Sequence, residues 1–174
     1  MHVSRGTAVA MLSAAVLGGS AASAMTAAGR GGHGRGDRGA HRGATVFAAT
    51  LAPSVPTDPA IHAVTPGAAP WVLGRGDVAL RRDGRLRLRV RGLVIPSFPG
   101  DGTPGAVTTV SASLYCAPEN SPAVDTTAPV PISRRGDARI TERLTLPAKC
   151  LAPVVLVHPN ANTTRYIAAG GLGG

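Results

Sequence analysis

Residues 74–90 read GRGDVALRRDGRLRLRV, and the alternation inside this stretch decides the fold class. Apolar residues at 78, 80, 86, 88 and 90 are separated by single polar or charged ones. That is the period of two expected of a half-buried strand. The chain must therefore reverse near Asp83-Gly84, and two registers compete. A two-residue Asp83-Gly84 loop sets Leu80 opposite Arg87, which puts an arginine among core side chains. A three-residue loop, Arg82-Asp83-Gly84, sets Leu80 opposite Leu86 and Val78 opposite Leu88. It also gives Gly84 the left-handed bulge position that glycine adopts without a Cβ clash. This second register sends Leu86, Leu88 and Val90 inward. Arg85, Arg87, Arg89 and Arg91 then face outward, with Arg81 opposite Arg85.

Outward from this hairpin the same texture continues. Short apolar or alternating runs predict strands near 45–51, 77–81, 85–94, 107–116, 138–146, 153–158 and 164–168. A weak strand near 128–133 is confined to an edge, because Pro129 and Pro131 cannot donate to a ladder. No stretch sustains a helical period. Val110, Ala112, Leu114 and Cys116 share one face, and Thr109, Ser111, Ser113 and Tyr115 the other. Ala138, Ile140, Leu144 and Leu146 align with Glu142 as an intruder, so Glu142 sits at a bend or needs a partner. The VVLV run at 154–157 reads as a strand covered on both faces, and Pro159 to Asn162 as the turn beyond it. The pattern predicts an all-β chain: a single antiparallel β-sandwich, immunoglobulin-like, of about seven strands.

The chain's 174 residues suit one such domain, over 44–170, with processing sequence before it and a Gly-rich tail at 171–174. His2 and Arg5 precede an apolar run over 6–19, and Ala22-Ser23-Ala24 supplies a small-residue cleavage site, so 1–24 reads as a signal peptide. Met25 to Gly43 is a Gly/Arg-rich segment with almost nothing to bury, and is expected to be a flexible linker. Its histidines, His33 and His41, lack the thiol or carboxylate partners of a metal site. No other run approaches the ~20 apolar residues of a membrane span, so no transmembrane anchor is expected after processing. Localisation outside the cytoplasm, secreted or associated with the envelope, follows. In that oxidising setting the two cysteines, Cys116 and Cys150, read as one disulfide.

The basic residues number 18 against 9 acidic ones, a formal charge of +9, and all but Lys149 are arginine. High-GC coding favours Arg, Ala, Gly and Pro without any functional cause, but a cationic surface attracts polyanions whatever its origin. Alternate residues on a strand lie about 6.5–7 Å apart, comparable to the phosphates of an extended polymer. Arg81, Arg85, Arg87, Arg89 and Arg91 are thus the candidate polyanion-binding residues. Anionic polymers of the cell envelope are the candidate partners: teichoic acids, extracellular DNA or anionic lipid headgroups. The competing reading is a solvated face that discourages edge-to-edge aggregation. Aromatic residues are confined to Phe47, Trp71, Phe98, Tyr115 and Tyr166, too few for base stacking, so sequence-specific nucleic-acid recognition is not expected.

Catalytic patterns are scarce. Glu119 and Glu142 are the only glutamates, and neither G-x-S-x-G nor H-E-x-x-H occurs. No catalytic, metal or cofactor site is assigned, and a non-enzymatic protein is expected. His158, at the end of an apolar strand, reads as a packed structural residue. The alternative is a secreted hydrolase or metal-dependent enzyme with a site around His158, joined by His62 and distant carboxylates. Arg-Gly-Asp occurs three times, at 35–37, 75–77 and 135–137. The last two directly precede strands, which predicts a shared turn in which glycine allows the bend and aspartate accepts backbone N–H groups.

Three stretches, WVLGRGDVALRRDGRLRLRVRGLVIP, VTTVSASLYC and PAKCLAPVVLVHPNANTTRYIAA, resemble a group of small secreted proteins of high-GC actinobacteria. The likeness covers roughly residues 45–170. A more distant one is to the CHRD (chordin-type) domain, whose G-x-G-x-x-x-L stretch leads through a turn to a strand ending in Gly-Leu. A late V-x-V-H strand precedes its final strand. Here those features lie at Gly74 to Leu93 and Val155 to Ile167. The central A-H-I-H-x-G segment of that domain has no counterpart, so no ligand or metal role tied to it carries over.

Overall fold

A computed structural model describes residues 43–171 except 99, 117 and 118. The expected signal peptide, nearly all of the linker, including His33 and His41, and the glycine tail beyond Gly171 lie outside the described residues. The elements are β1 (Thr45–Pro53), β2 (Thr65–Pro66), β3 (Arg75–Arg81), β4 (Arg85–Arg91), β5 (Thr109–Tyr115), β6 (Asp125–Thr126), β7 (Val130–Pro131), β8 (Ala138–Arg143), β9 (Val154–Pro159), β10 (Arg165–Tyr166) and β11 (Ala168–Gly170). The chain is all-β, as expected.

The main sheet runs β6-β5-β9-β11-β1-β3-β4-β8, with β7 also paired to β5. β1 is where one layer passes into the other: Thr45 to Thr50 pair with β3, whereas Leu51 to Pro53 pair with β11. This divides the strands into a β3-β4-β8 layer and a β11-β9-β5 layer that share β1, an antiparallel β-sandwich. Between the layers lies one core. Val78, Leu80, Leu86, Leu88, Val90 and Ile140 meet Val110, Ala112, Leu114, Val155, Val157 and Ala168.

The β3–β4 hairpin has the three-residue register. Leu80 lies opposite Leu86, and Val78 opposite Leu88. Gly84 takes φ +83° and donates to the Arg81 carbonyl at 2.9 Å, while a Cβ there would overlap the Leu144 carbonyl oxygen. Leu86 and Leu88 are 0% and 1% exposed, so truncating either leaves a cavity that the facing layer cannot fill. Leu88→Ala is expected to cost about 3 kcal/mol, read from urea denaturation midpoints. A loss under about 1 kcal/mol would mean that the core relaxes around the site.

Several expectations need adjustment. β4 ends at Arg91 rather than 94, because Gly92 turns at φ +65° and Leu93 donates instead to the Gly136 carbonyl at 3.0 Å. The single strand expected over 164–168 is two: β10 forms a parallel pair with β2, and β11 joins the main sheet. Not every pairing is antiparallel, therefore. The Ser/Thr face of β5 is covered: Ser111 and Ser113 are 1% and 0% exposed. The stretch 54–67, for which no strand is expected, folds over that face, held by Ser54, Thr65 and Gly67 donating to the carbonyls of Ile167, Thr164 and Tyr166. Val64, Tyr115, Val154, Leu156, Tyr166 and Ala169 form a second small core beneath it. Glu142, as expected of an inward-facing acid, finds a partner: its Oε2 accepts the Ala128 N–H at 3.0 Å.

Candidate polyanion-binding face

The outer face of the β3-β4-β8 layer is built by register. Across β3 and β4, Arg75 lies opposite Arg91, Asp77 opposite Arg89 and Ala79 opposite Arg87. Across β4 and β8, Arg85 lies opposite Arg143, Arg87 opposite Thr141 and Arg89 opposite Arg139. Inward-facing leucine and valine on alternate positions of β4 force every arginine of that strand outward. The result is a two-dimensional array of seven arginines, Arg75, Arg85, Arg87, Arg89, Arg91, Arg139 and Arg143, sharing the face with Asp77 and with Asp137, which lines a cleft with Arg89, Arg91 and Arg139, and bordered at the hairpin tip by Asp83. Neighbours are about 5 Å apart across strands and about 7 Å along them.

The charge on this face is partly compensated. Asp77 sits 3.7 Å from the Arg75 Nε, with both side chains more than half exposed, a geometry of little energetic weight. Asp83, at the hairpin tip, accepts the Arg85 N–H at 3.2 Å and lies 3.9 Å from Arg143. That hydrogen bond, with the nearby Arg143, Arg81 and Arg85 charges, holds its carboxyl below the usual aspartate range. Directly opposed like charges such as Arg75 with Arg91 are unfavourable in the absence of a counter-ion. A cleft of about 220 Å³ is lined by Arg75, Asp77, Arg89 and Arg91, so the Asp77 carboxylate lies among three of these arginines.

Of the residues expected from the sequence, Arg85, Arg87, Arg89 and Arg91 lie on this face together. Arg81 is at its margin: it is half-buried, its Nε is buried with no partner among the described residues, and its guanidinium packs over Gly43. Arg75, Arg139 and Arg143 were missed as members. The R-x-T-x-R alternation at 139–143 carried the signal, but only the pairing of β8 with β4 makes it part of the same face.

His158 lies in the other layer, and it is 0% exposed. Its Nδ1 is 2.7 Å from the Arg165 carbonyl, which can only accept, so Nδ1 carries the proton. Nε2 of the neutral ring then accepts from the Ser113 hydroxyl at 2.8 Å, and Ser113 Oγ accepts in turn from Thr126 Oγ1 at 2.7 Å. A serine and histidine are thus in hydrogen-bonding register, but both are sealed from solvent, and a backbone carbonyl stands where a triad has a carboxylate. His62 is elsewhere, stacked on Tyr115 with ring centroids 4.8 Å apart. Among the described residues no group of three His, Cys, Asp or Glu side chains is placed to hold a metal.

Burial pushes the His158 pKa below its ordinary value, against a smaller upward effect of the Arg165 carbonyl. Below the unfolded pKa of about 6.5, the unfolded chain takes up a proton that the folded one refuses. Stability is therefore complete above that pH and falls as pH drops, by up to ~1.4 kcal/mol per pH unit, until the folded pKa is reached. Melting temperatures from pH 7.5 to 5 should decline, and His158→Gln should flatten the decline. A flat profile in the parent protein would mean that the ring is protonated while buried.

The two described Arg-Gly-Asp copies do not share one turn. At 135–137 the expectation holds: Gly136 has φ +78°, and Asp137 Oδ1 accepts the Gly92 N–H at 3.1 Å. The 75–77 copy instead lies inside β3, with Gly76 extended and pressed beneath Leu51 and Leu73. The 35–37 copy lies outside the described residues. No family model, curated protein or solved structure matches this chain, so the reading of its arginine face rests on its own residues.

Proposed function

We propose that this chain is an exported, non-enzymatic β-sandwich that binds anionic polymers of the cell envelope or extracellular space through the outer face of β3, β4 and β8. The observation that carries the reading is the array of seven arginines against the three carboxylates Asp77, Asp83 and Asp137, held on one sheet at spacings that suit successive anionic groups. Guanidinium groups match phosphate and carboxylate in a bidentate fork, which favours arginine over lysine in such a role. The Cys116–Cys150 disulfide supports an oxidising destination. Among the described residues no helix is long and apolar enough to cross a membrane. The burial of Ser113 and His158 argues against the hydrolase alternative, which needs a reachable nucleophile. The CHRD likeness belongs to the same proposal: its two anchors fall on the β3–β4 hairpin and on β9 with β10.

The test is retention of purified protein on immobilised polyphosphate and on cell-wall fractions containing teichoic acid, as salt is raised. If all seven arginines engage, log affinity should fall against log salt with a slope of about −5 to −6, because each contact releases condensed counter-ions. Absence of retention at low salt would overturn the reading.

A further inference from the structure

On the other side of the fold, between the end of β1 and the small core over β5 and β9, lies a cavity of about 560 Å³. Its size falls within the ~300–1,000 Å³ of small-molecule sites. Its walls are apolar, formed by Pro53, Pro59, Ile61 and Val154 among others, and its polar groups are Asp58, His62, Glu119 and Tyr166. No arginine or lysine lines it, although the chain as a whole carries +9. The charged side chains at the cavity, Asp58 and Glu119, are thus of the opposite sign to the arginines of the other face. The Tyr166 hydroxyl donates to the Pro59 carbonyl at 2.8 Å: burial first, and then the Asp58 charge, raise that phenol's pKa.

The cavity wall also carries features that stability alone does not explain. Ile61 and Val64 exchange backbone hydrogen bonds at 3.0 and 2.9 Å, so His62 and Ala63 are the two central residues of a tight turn, at φ +50° and +62°. Such a turn is normally filled by asparagine and glycine, because other side chains are strained there. The His62 ring is nonetheless held against Tyr115, and its Nδ1 is buried with no hydrogen-bond partner among the described residues. Backbone strain and an unsatisfied buried nitrogen at the wall of a formed cavity are the marks of a binding site.

We infer that this cavity binds a small amphipathic amine, with its apolar body against Pro53, Pro59, Ile61 and Val154 and its ammonium group directed to Asp58 and Glu119. Half-buried Asp58 is anchored, since its Oδ2 accepts the Val55 N–H at 2.8 Å, and the exposed Glu119 flanks the mouth. The Tyr166 ring adds a surface over which a cation is favoured. The inference does not depend on the polyanion reading, because the two sites lie on different elements and attract opposite charges.

The test uses three probes of one shape: 4-phenylbutylamine, 4-phenylbutanol and 4-phenylbutyrate. Titration into the full chain, followed by calorimetry and by the NMR signals of the His62 ring, should rank amine over alcohol over carboxylate. The amine should bind about five- to tenfold more tightly than the alcohol, as one or two half-exposed ion pairs provide. Asp58→Asn keeps an oxygen acceptor for Val55, and Glu119→Gln changes an exposed position. Each should narrow the gap between amine and alcohol without weakening the alcohol. Equal affinity for all three probes, no binding at all, binding that leaves the His62 signals unmoved, or variants that leave the gap unchanged would each overturn the inference.

Discussion

Replacing Arg85, Arg87, Arg89 and Arg91 together with glutamine is expected to leave the fold intact and to remove most polyanion binding. All four project from the outer face of β4, where Arg85, Arg89 and Arg91 stand opposite Arg143, Arg139 and Arg75 across the ladders. Surface substitutions usually shift stability by less than about 0.5 kcal/mol each, and here relief of opposed like charges offsets the lost packing of the arginine stems. Binding responds differently, because each lost phosphate contact removes ~0.7–0.9 from the salt slope. The slope should therefore become shallower by about 3 to 4, with earlier elution from the polyphosphate column at every salt concentration. Arg75→Gln, Arg139→Gln and Arg143→Gln combined should act in the same direction by about 2 to 3. If either variant folds and binds like the parent, the arginines are a solvated face whose role is to keep sheet edges apart.

Reduction of the Cys116–Cys150 bond is expected to destabilise the domain by about 4 kcal/mol in the chain-entropy model. The bond joins positions 34 residues apart, and the loop it closes contains β6, β7 and β8. It thereby ties the end of β5, in one layer, to the segment that leaves β8 in the other, which limits the freedom of the unfolded chain over the crossing between layers. Cys116 is part of the main core and Cys150 packs against it. Denaturant midpoints of oxidised and of reduced, alkylated protein give the comparison. Near-identical midpoints would show that the layers are held by apolar burial alone. Recovery of free thiols from exported material would contradict the expected oxidising destination.

Much of the architecture was legible because alternation with a period of two is a local property. The register of the β3–β4 hairpin could be read from Leu80, Gly84 and Leu86: only one loop length kept arginine out of the core and gave glycine the left-handed position. Glu142 announced its need for a partner by standing among apolar neighbours, but not that the partner is the Ala128 N–H, which a separate loop delivers. The candidate site was half legible. The arginines of β4 alternate within one strand, whereas Arg139 and Arg143 join them only because the chain leaves the layer after β4 and returns to pair β8 beside it.

By itself, then, the amino-acid sequence determined where the longer strands run, which way each side chain of β4 points, and that the two cysteines have only each other, but not the short strands β2 and β6. These follow from backbone geometry and from counting, which need no knowledge of distant neighbours. Tertiary structure alone decided that the serine face of β5 is covered, that His158 is a sealed neutral ring bonded to Ser113 45 positions away, and that Asp58, His62, Glu119 and Tyr166 line one cavity. The reason is that burial and adjacency depend on which segments pack together across the fold, and the stretch over 54–67 that covers β5 carries no periodicity to reveal where it will lie.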